Sequence, residues 1–220
     1  MVILVASCDK NGDTFEAFHY CIEKYWKNHP EIIYATETLI NPYYKTICHN
    51  IPLEHWTVRI RKTLDEIEDN QILFMIDDCF IRDYVDTERI EYLKEQLKGN
   101  IAVFSFEQSF DNNDEETNII GMKKRQHGYP YEVTLLCGLW QKDKLYKILE
   151  DDCNCWEVEG RQKNHGFDFY INSGDNIIDY GGRPFEPAGI FKGLWCREVV
   201  SFFEKEGIKI DYSKRGFVNW

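Results

Sequence analysis

The stretch Ile72-Leu73-Phe74-Met75-Ile76-Asp77-Asp78-Cys79-Phe80 decides the fold. An apolar run that short reads as a strand buried on both faces. It delivers two adjacent carboxylates at its carboxyl end, where open α/β sheets bind their ligands. Adjacent aspartates repel, and each raises the other's proton affinity unless a cation or strong hydrogen-bond donors neutralise the pair. A hard divalent ion, Mn²⁺ or Mg²⁺, held by one or two carboxylates and completed by substrate phosphates, meets that requirement. The competing assignment makes Asp78 the cap of a following turn and leaves Asp77 solvated.

Upstream of this strand, helix and strand patterns alternate. Val2–Ala6 reads as a buried strand ending in the polar turn Ser7-Cys8-Asp9-Lys10-Asn11-Gly12, and Asp13 with Glu16 has the spacing of a capping box. Phe15, Phe18, Ile22, Tyr25 and Trp26 fall on one face of the helix that follows, which Asn28-His29-Pro30 stops. Residues 31–36 read as a second strand, and residues 37–53, rich in Tyr, Asn and Pro, as a looser segment. A helix from His55 carries Trp56, Ile60, Leu64 and Ile67 on one stripe, with Arg59, Arg61 and Lys62 beside it, and leads into the acidic strand. Such alternation predicts an α/β fold with a doubly wound, mostly parallel sheet and helices on both faces.

Downstream the pattern is less regular. Thr87 is placed to cap a helix bearing Ile90, Leu93 and Leu97, and Ile101–Phe106 reads as another strand. The acidic loop 110–116 reads as solvated. Tyr131–Trp140 has the pattern of a strand, antiparallel at the sheet, and Gln141–Glu150 that of a short helix. Beyond it stand Trp156-Glu157-Val158-Glu159, His165 and a Gly-rich basic stretch from Gly181 to Gly193.

Neither a Pro/Gly/Ser-rich linker nor an internal repeat divides the 220 residues, so one domain is expected. A net charge of −12 disfavours a nucleic-acid backbone or an anionic membrane surface as main partner. The opening run Met1–Ala6 is too short for a secretory signal and lacks a basic head, and no stretch reaches transmembrane length. The eight cysteines are therefore expected to be reduced thiols of a cytoplasmic protein. Cys153-x-Cys155 lacks the paired C-x-x-C spacing of a zinc site.

Four pieces in order, Ser7-Cys8-Asp9-Lys10, Trp56-Thr57-Val58-Arg59, Ile76-Asp77-Asp78 and Trp156-Glu157-Val158-Glu159, carry a resemblance over nearly the whole chain. The sequence resembles the GT-A family of glycosyltransferases, particularly small enzymes of bacterial surface-polysaccharide pathways and comparable enzymes of large DNA viruses. The resemblance implies a single Rossmann-like GT-A domain over 1–220. Its nucleotide-binding half would be 1–106 and its acceptor-binding half 107–220, with a smaller antiparallel part on the acceptor side. It implies transfer of a hexosyl or rhamnosyl group from a nucleotide-diphosphate sugar, a UDP-sugar being expected from family frequency, to a saccharide or glycan acceptor. It further implies assistance by Mn²⁺ or Mg²⁺ and inversion at the anomeric carbon.

By the same resemblance, Ser7 and Asp9 would contact base and ribose, and Arg59 would lie near the base or phosphates; the competing assignment for Arg59 is a surface helix charge. The family's D-x-D signature is replaced here by Asp77-Asp78-Cys79. Aligning Ile76-Asp77-Asp78 with it makes Asp78 the metal ligand and Asp77 the ribose or sugar contact. Glu157 takes the position of the catalytic base, with Glu159 as the alternative, and Trp156 could stack on a sugar face. Otherwise Trp156 is core and the two acids occupy a solvated first helical turn. Lys192, Arg183 and His165 fall where the family closes a loop over the phosphates, with Gly181, Gly182 and Gly189 as hinges; His165 would add a metal ligand or else be structural.

Three other functions fit parts of the pattern. A sugar-1-phosphate nucleotidyltransferase normally needs a Gly-rich basic loop after the first strand, where this chain offers only Gly12 and Lys10. A carbohydrate-binding domain without catalysis would use the aromatic residues alone. A phosphohydrolase would need a nucleophilic aspartate after the first strand, where only Asp9 stands.

Overall fold

The computed structural model describes residues 1–109, 113–128, 131–161, 163–180 and 189–218. Strands β1 (Val2–Ala6), β2 (Ile32–Thr36), β3 (Lys45–Cys48) and β4 (Gln71–Ile76) pair in parallel in the order β3-β2-β1-β4. The sheet continues with β5 (Ile101–Gln108), β6 (Glu115–Glu116), β7 (Met122–Lys124), β8 (Cys137–Gln141) and β9 (Asp168–Asn172). Its full order is β3-β2-β1-β4-β8-β5-β9-β7-β6. β8 runs antiparallel to both β4 and β5, and β7 antiparallel to β9 and β6. Strands from both halves of the chain thus share one sheet, whose carboxyl edge gathers the ends of β1, β4 and β5. A separate antiparallel ribbon is formed by β10 (Ile190–Phe191) and β11 (Leu194–Trp195).

Alternation along the central strands splits the core into two layers. Ile3 and Val5 of β1 and Leu73 and Met75 of β4 face α1 (Phe15–Tyr25), α3 (Thr87–Gln96) and α6 (Arg197–Glu206). Their neighbours Val2, Leu4, Ile72 and Phe74 face α2 (Trp56–Asp65), α4 (Lys142–Ile148) and α5 (Cys155–Gly160). Successive strand side chains point to opposite faces, so a run apolar at every position must be covered on both. Each such side chain contributes about 1.5–3 kcal/mol by leaving water. Among the described residues no helix is long and apolar enough to cross a membrane.

Several expectations need correction. The segment 37–53 contains β3, an edge strand in which only Ile47 is buried, so its sequence lacks a core pattern. β9 and α6 were not expected. In place of one strand over Tyr131–Trp140, only Cys137–Gln141 is regular: Val133 and Leu135 are buried as their alternation requires, but Leu135 N–H donates to Glu159 rather than to a strand. Helix α1 starts at Thr14 with no side-chain cap, because the Asp13 carboxylate is taken by Arg215. Asp86, not Thr87, caps α3, accepting the Arg89 N–H at 2.9 Å. Of the acidic loop, Asp114 is buried and accepts from Ser109 Oγ at 2.5 Å, while Glu115 and Glu116 form β6.

Candidate active site

Register places the acid pair against the first turn. Ile76 of β4 lies beside Ala6 of β1, so the residues that follow each strand meet. Ser7 Oγ donates to Asp77 Oδ2 at 2.5 Å and Asn11 Nδ2 to Asp77 Oδ1 at 2.9 Å. Asp78 Oδ2 accepts the Ile190 N–H at 3.1 Å, from the ribbon that arrives over the site. Asp77 is 3% exposed and Asp78 9%. Burial, and then the charge of Asp78, raise the Asp77 pKa to about 7; burial raises that of Asp78 to about 6. Gly189 makes this approach sterically feasible. A Cβ there would lie 2.7 Å from the Asp78 carbonyl oxygen and 2.4 Å from the Phe80 ring. The Gly189 expected as a hinge is thus a close-packing position, while Gly181, Gly182 and Arg183 lie outside the described residues.

The rest of the first turn is braced from the β2 side. Asp9 accepts from Thr38 N–H at 3.0 Å, Thr38 Oγ1 at 2.5 Å and Leu39 N–H at 2.8 Å, and its own N–H donates to Glu37 at 2.6 Å. Burial alone would raise its pKa, but these hydrogen bonds prevail and hold it at about 2. Arg59 has no exposed surface. It pairs with Glu37 and donates to the Ser7 carbonyl at 2.7 Å, so it is neither a surface charge nor open to a nucleotide; it holds Ser7 in place. The missed partner is Glu37, which follows a strand remote in sequence from α2.

A cleft of about 640 Å³ opens between this turn and the carboxyl-terminal segment, lined by Asp9, Lys10, Asp13, Gly193, Lys214 and Arg215 among others. Arg215 donates to Asp13, to the Lys10 carbonyl at 2.7 Å and to Asn11 Oδ1 at 2.9 Å, and lies 5.7 Å from the Trp195 ring centroid. Lys192 sits with Gly193 at the tip of the β10–β11 ribbon, both at positive φ (50° and 81°), and is exposed at the cleft's border.

On the other side stands α5. Asn154 and Glu157 form a reciprocal cap: Glu157 N–H donates to Asn154 Oδ1 at 3.0 Å and Asn154 N–H to Glu157 Oε2 at 2.9 Å. Trp156 is 66% exposed, so it is not core. Glu159 points inward, accepts the Leu135 N–H at 2.7 Å, and burial, with a contribution from Glu107, raises its pKa to about 7. Two half-buried thiols bridge the sides. Burial, then Asp77 and Glu37, push Cys8 up to about 11, and burial, then Glu159 and more weakly Cys8, push Cys155 up to about 12. The charge of Asp77 thus acts on Cys8 and that of Glu159 on Cys155.

No protein-family model matches the chain, and no curated protein matches it in sequence. Solved structures match in fold. The structure of S. aureus TarS 1-349 aligns at 10% identity and a TM-score of 0.51, over 80% of this chain and 59% of that one. A longer structure of S. aureus TarS aligns at 10% identity and a TM-score of 0.50, over 80% of this chain and 36% of that one. A nucleotidyl transferase from Methanothermobacter thermautotroptrophicus aligns at 12% identity and a TM-score of 0.47, over 80% and 88%. The chain has a GT-A-like fold.

Within this GT-A-like frame His165 is corrected. It adjoins Gly166, whose carbonyl accepts from Asn100 Nδ2 at 3.0 Å just ahead of β5. That is the amino edge of the sheet, opposite Asp78, so His165 cannot share a cation with it. Among the described residues no three His, Cys, Asp or Glu side chains converge on a metal position. Both Asp77 oxygens are already bonded, so of the pair Asp78 would be the one to hold a cation. A single carboxylate at raised proton affinity fits a Mn²⁺ or Mg²⁺ ion that arrives with substrate phosphates as its other ligands.

Proposed function

We propose that the chain is a glycosyltransferase that moves a sugar from a nucleotide-diphosphate sugar, a UDP-sugar, to a neutral saccharide acceptor with inversion. The observation that carries this reading is the pairing of Asp77–Asp78 beneath the first turn with the inward-facing Glu159 beside exposed Trp156. Donor chemistry is assigned to the first side and acceptor chemistry to the second.

In this reading the cleft beside Asp9 and Arg215 receives the nucleotide, and Asp77 keeps Ser7 and Asn11 ordered around it. The acceptor sugar stacks on Trp156. Glu159, as carboxylate, takes the proton of the acceptor hydroxyl while that oxygen bonds to the anomeric carbon. The bond from that carbon to the diphosphate breaks, and the nucleoside diphosphate leaves with the electron pair. A divalent cation bound at Asp78 would offset charge on the leaving diphosphate. Lys192 and Lys214 at the cleft border add positive charge from the protein. Glu159 is preferred to Glu157 as base because Glu157 is exposed and committed to its cap.

The experiment is incubation of the protein with UDP-sugars, Mn²⁺ and a panel of neutral saccharides. Release of UDP with a glycosylated product is expected. Release of pyrophosphate from a nucleoside triphosphate and a sugar phosphate would favour the nucleotidyltransferase, and neither release would favour a binding domain. Asp78→Asn should abolish Mn²⁺-linked donor binding in calorimetry with the fold intact; unchanged affinity for metal and nucleotide would remove Asp78 from the site.

A further inference from the structure

Glu107 stands where β5 ends, on the same edge of the sheet as Asp77 and Asp78, and none of the four sequence pieces includes it. Its N–H donates to Ser105 Oγ at 3.4 Å, and Ser105 Oγ lies 3.1 Å from Thr134 Oγ1. Its Oε2 is enclosed and has no hydrogen-bond partner among the described residues. A buried carboxylate oxygen left unpartnered is costly, and such atoms call for a functional explanation.

The residue after Thr134 supplies one. Leu135 N–H holds Glu159 Oε1 at 2.7 Å, so the two glutamates flank the segment Thr134–Leu135, one from β5 and one from α5. Burial raises the proton affinity of Glu107, opposed by Thr134, by Arg125 at the end of β7 and by Ser105. The negative charge of Glu107 acts in turn on Glu159. Cys155 faces Glu159 from its own helix, and Cys137, Cys79 and Tyr180 face Glu107. Of these neighbours Arg125 is the cation, and it lies on the Glu107 side.

We propose that Glu107 is a positioning residue for the transfer step: its carboxylate stands across Thr134–Leu135 from Glu159 and, together with the burial of that site, favours Glu159 as the group that takes the proton of the acceptor hydroxyl. A carboxylate of ordinary affinity is a weak base there, and general-base efficiency rises as the affinity approaches the working pH. The missing partner at Oε2 has a consequence in this arrangement, because a donor at that atom would neutralise the charge that Glu159 feels. The proposal rests on the reading of Glu159 as base.

The test follows Glu159 by NMR of ¹³C-labelled glutamate, together with the pH dependence of kcat/KM, in the wild type, Glu107→Gln and Glu107→Asp. The Gln variant keeps shape and removes charge. Glu159 should then titrate lower by roughly half a unit or more, and the acidic limb should move with it, about a threefold gain in rate at a fixed pH on that limb. The Asp variant should leave both near wild type. A Glu107→Gln protein that melts normally with titration and limb unmoved overturns the proposal. If that variant does not fold, the wild-type titration decides: Glu107 must ionise at lower pH than Glu159, and a Glu107 still protonated while Glu159 ionises overturns the proposal. Normal transfer by Glu159→Gln would remove the base assignment itself, while the titrations would still report whether the two carboxyls are coupled.

Discussion

The two sides of the site, the proposed donor side and the proposed acceptor side, hold their acids in opposite ways. Asp77 is bonded through both oxygens, to Ser7 and Asn11, and Asp78 has a backbone amide, so the donor acids are fixed by contacts inside the fold. On the proposed acceptor side Glu159 has one backbone N–H, and Glu107 keeps an enclosed oxygen with no partner among the described residues. The first arrangement builds a rigid anionic floor that suits a ligand bringing its own countercharge. The second leaves proton affinity adjustable by one neighbour. The proposed transfer, which holds a diphosphate and also accepts a proton, would use both.

The sharpest way to break this contrast is Glu159→Gln. Loss of a general base typically costs on the order of a hundredfold to ten-thousandfold in rate, and donor affinity should stay unchanged because the acid faces the other side. Glu157→Gln should transfer near normally and keep its cap, because an amide oxygen at that position still accepts the Asn154 N–H. A dead Glu157→Gln beside an active Glu159→Gln would reverse the assignment. Transfer rate and donor calorimetry on both variants decide it.

Next in size is Arg59→Met. Removing one member of a buried ion pair leaves Glu37 uncompensated and typically costs about 3–5 kcal/mol. A denaturant melt should show that loss, with looser nucleotide binding following from a freed Ser7. A Tm within a degree of wild type would mean that Glu37 and Asp9 brace the first turn unaided.

A smaller and graded effect is expected from pH. Asp77, Asp78 and Glu159 have folded-state values of about 7, 6 and 7, above the ordinary carboxylate range, so the folded protein binds their protons more tightly than the unfolded chain. The stability they contribute is complete below about pH 4 and is lost as pH rises through 6 and 7. Asp9, held at about 2, acts the other way, and its contribution fades only as pH falls toward 2. The Tm without metal should therefore decline between pH 5 and 8, and saturating Mn²⁺ should reduce that decline. A Tm that rises over this interval would contradict the burial of the three acids. Trp156→Ala should have the least effect on stability, within about 0.5 kcal/mol because the ring is exposed, while raising KM for the acceptor; an unchanged KM would take Trp156 out of the acceptor site.

The β1–β4 edge and its acids were largely legible in the sequence because their signal is local. Val2–Ala6 and Ile72–Ile76 are uninterrupted apolar runs, and the acids follow one of them directly. Arg59 was misread because its depth depends on Glu37, which a distant strand end supplies. Glu107 obeys the same strand-end rule as Asp77, coming just after Ile101–Phe106, and the rule applied to every strand would have found it. The choice between Glu157 and Glu159 depends on a capping box that only the position of Asn154 reveals. β9 was missed because its five residues begin and end in polar side chains, whereas α6 carried a usable signal in Val199, Phe203 and the stop at Gly207.

The Ile190 amide donates to Asp78, and a main-chain N–H cannot be altered by changing the side chain. A ligand that displaces the amide from that carboxylate oxygen, without accepting from it in turn, opens the amide to solvent. Deuterium uptake at this single peptide group is therefore a built-in gauge of what Asp78 is holding: slow while the ribbon's own backbone is bonded there, and faster once something else has claimed the oxygen.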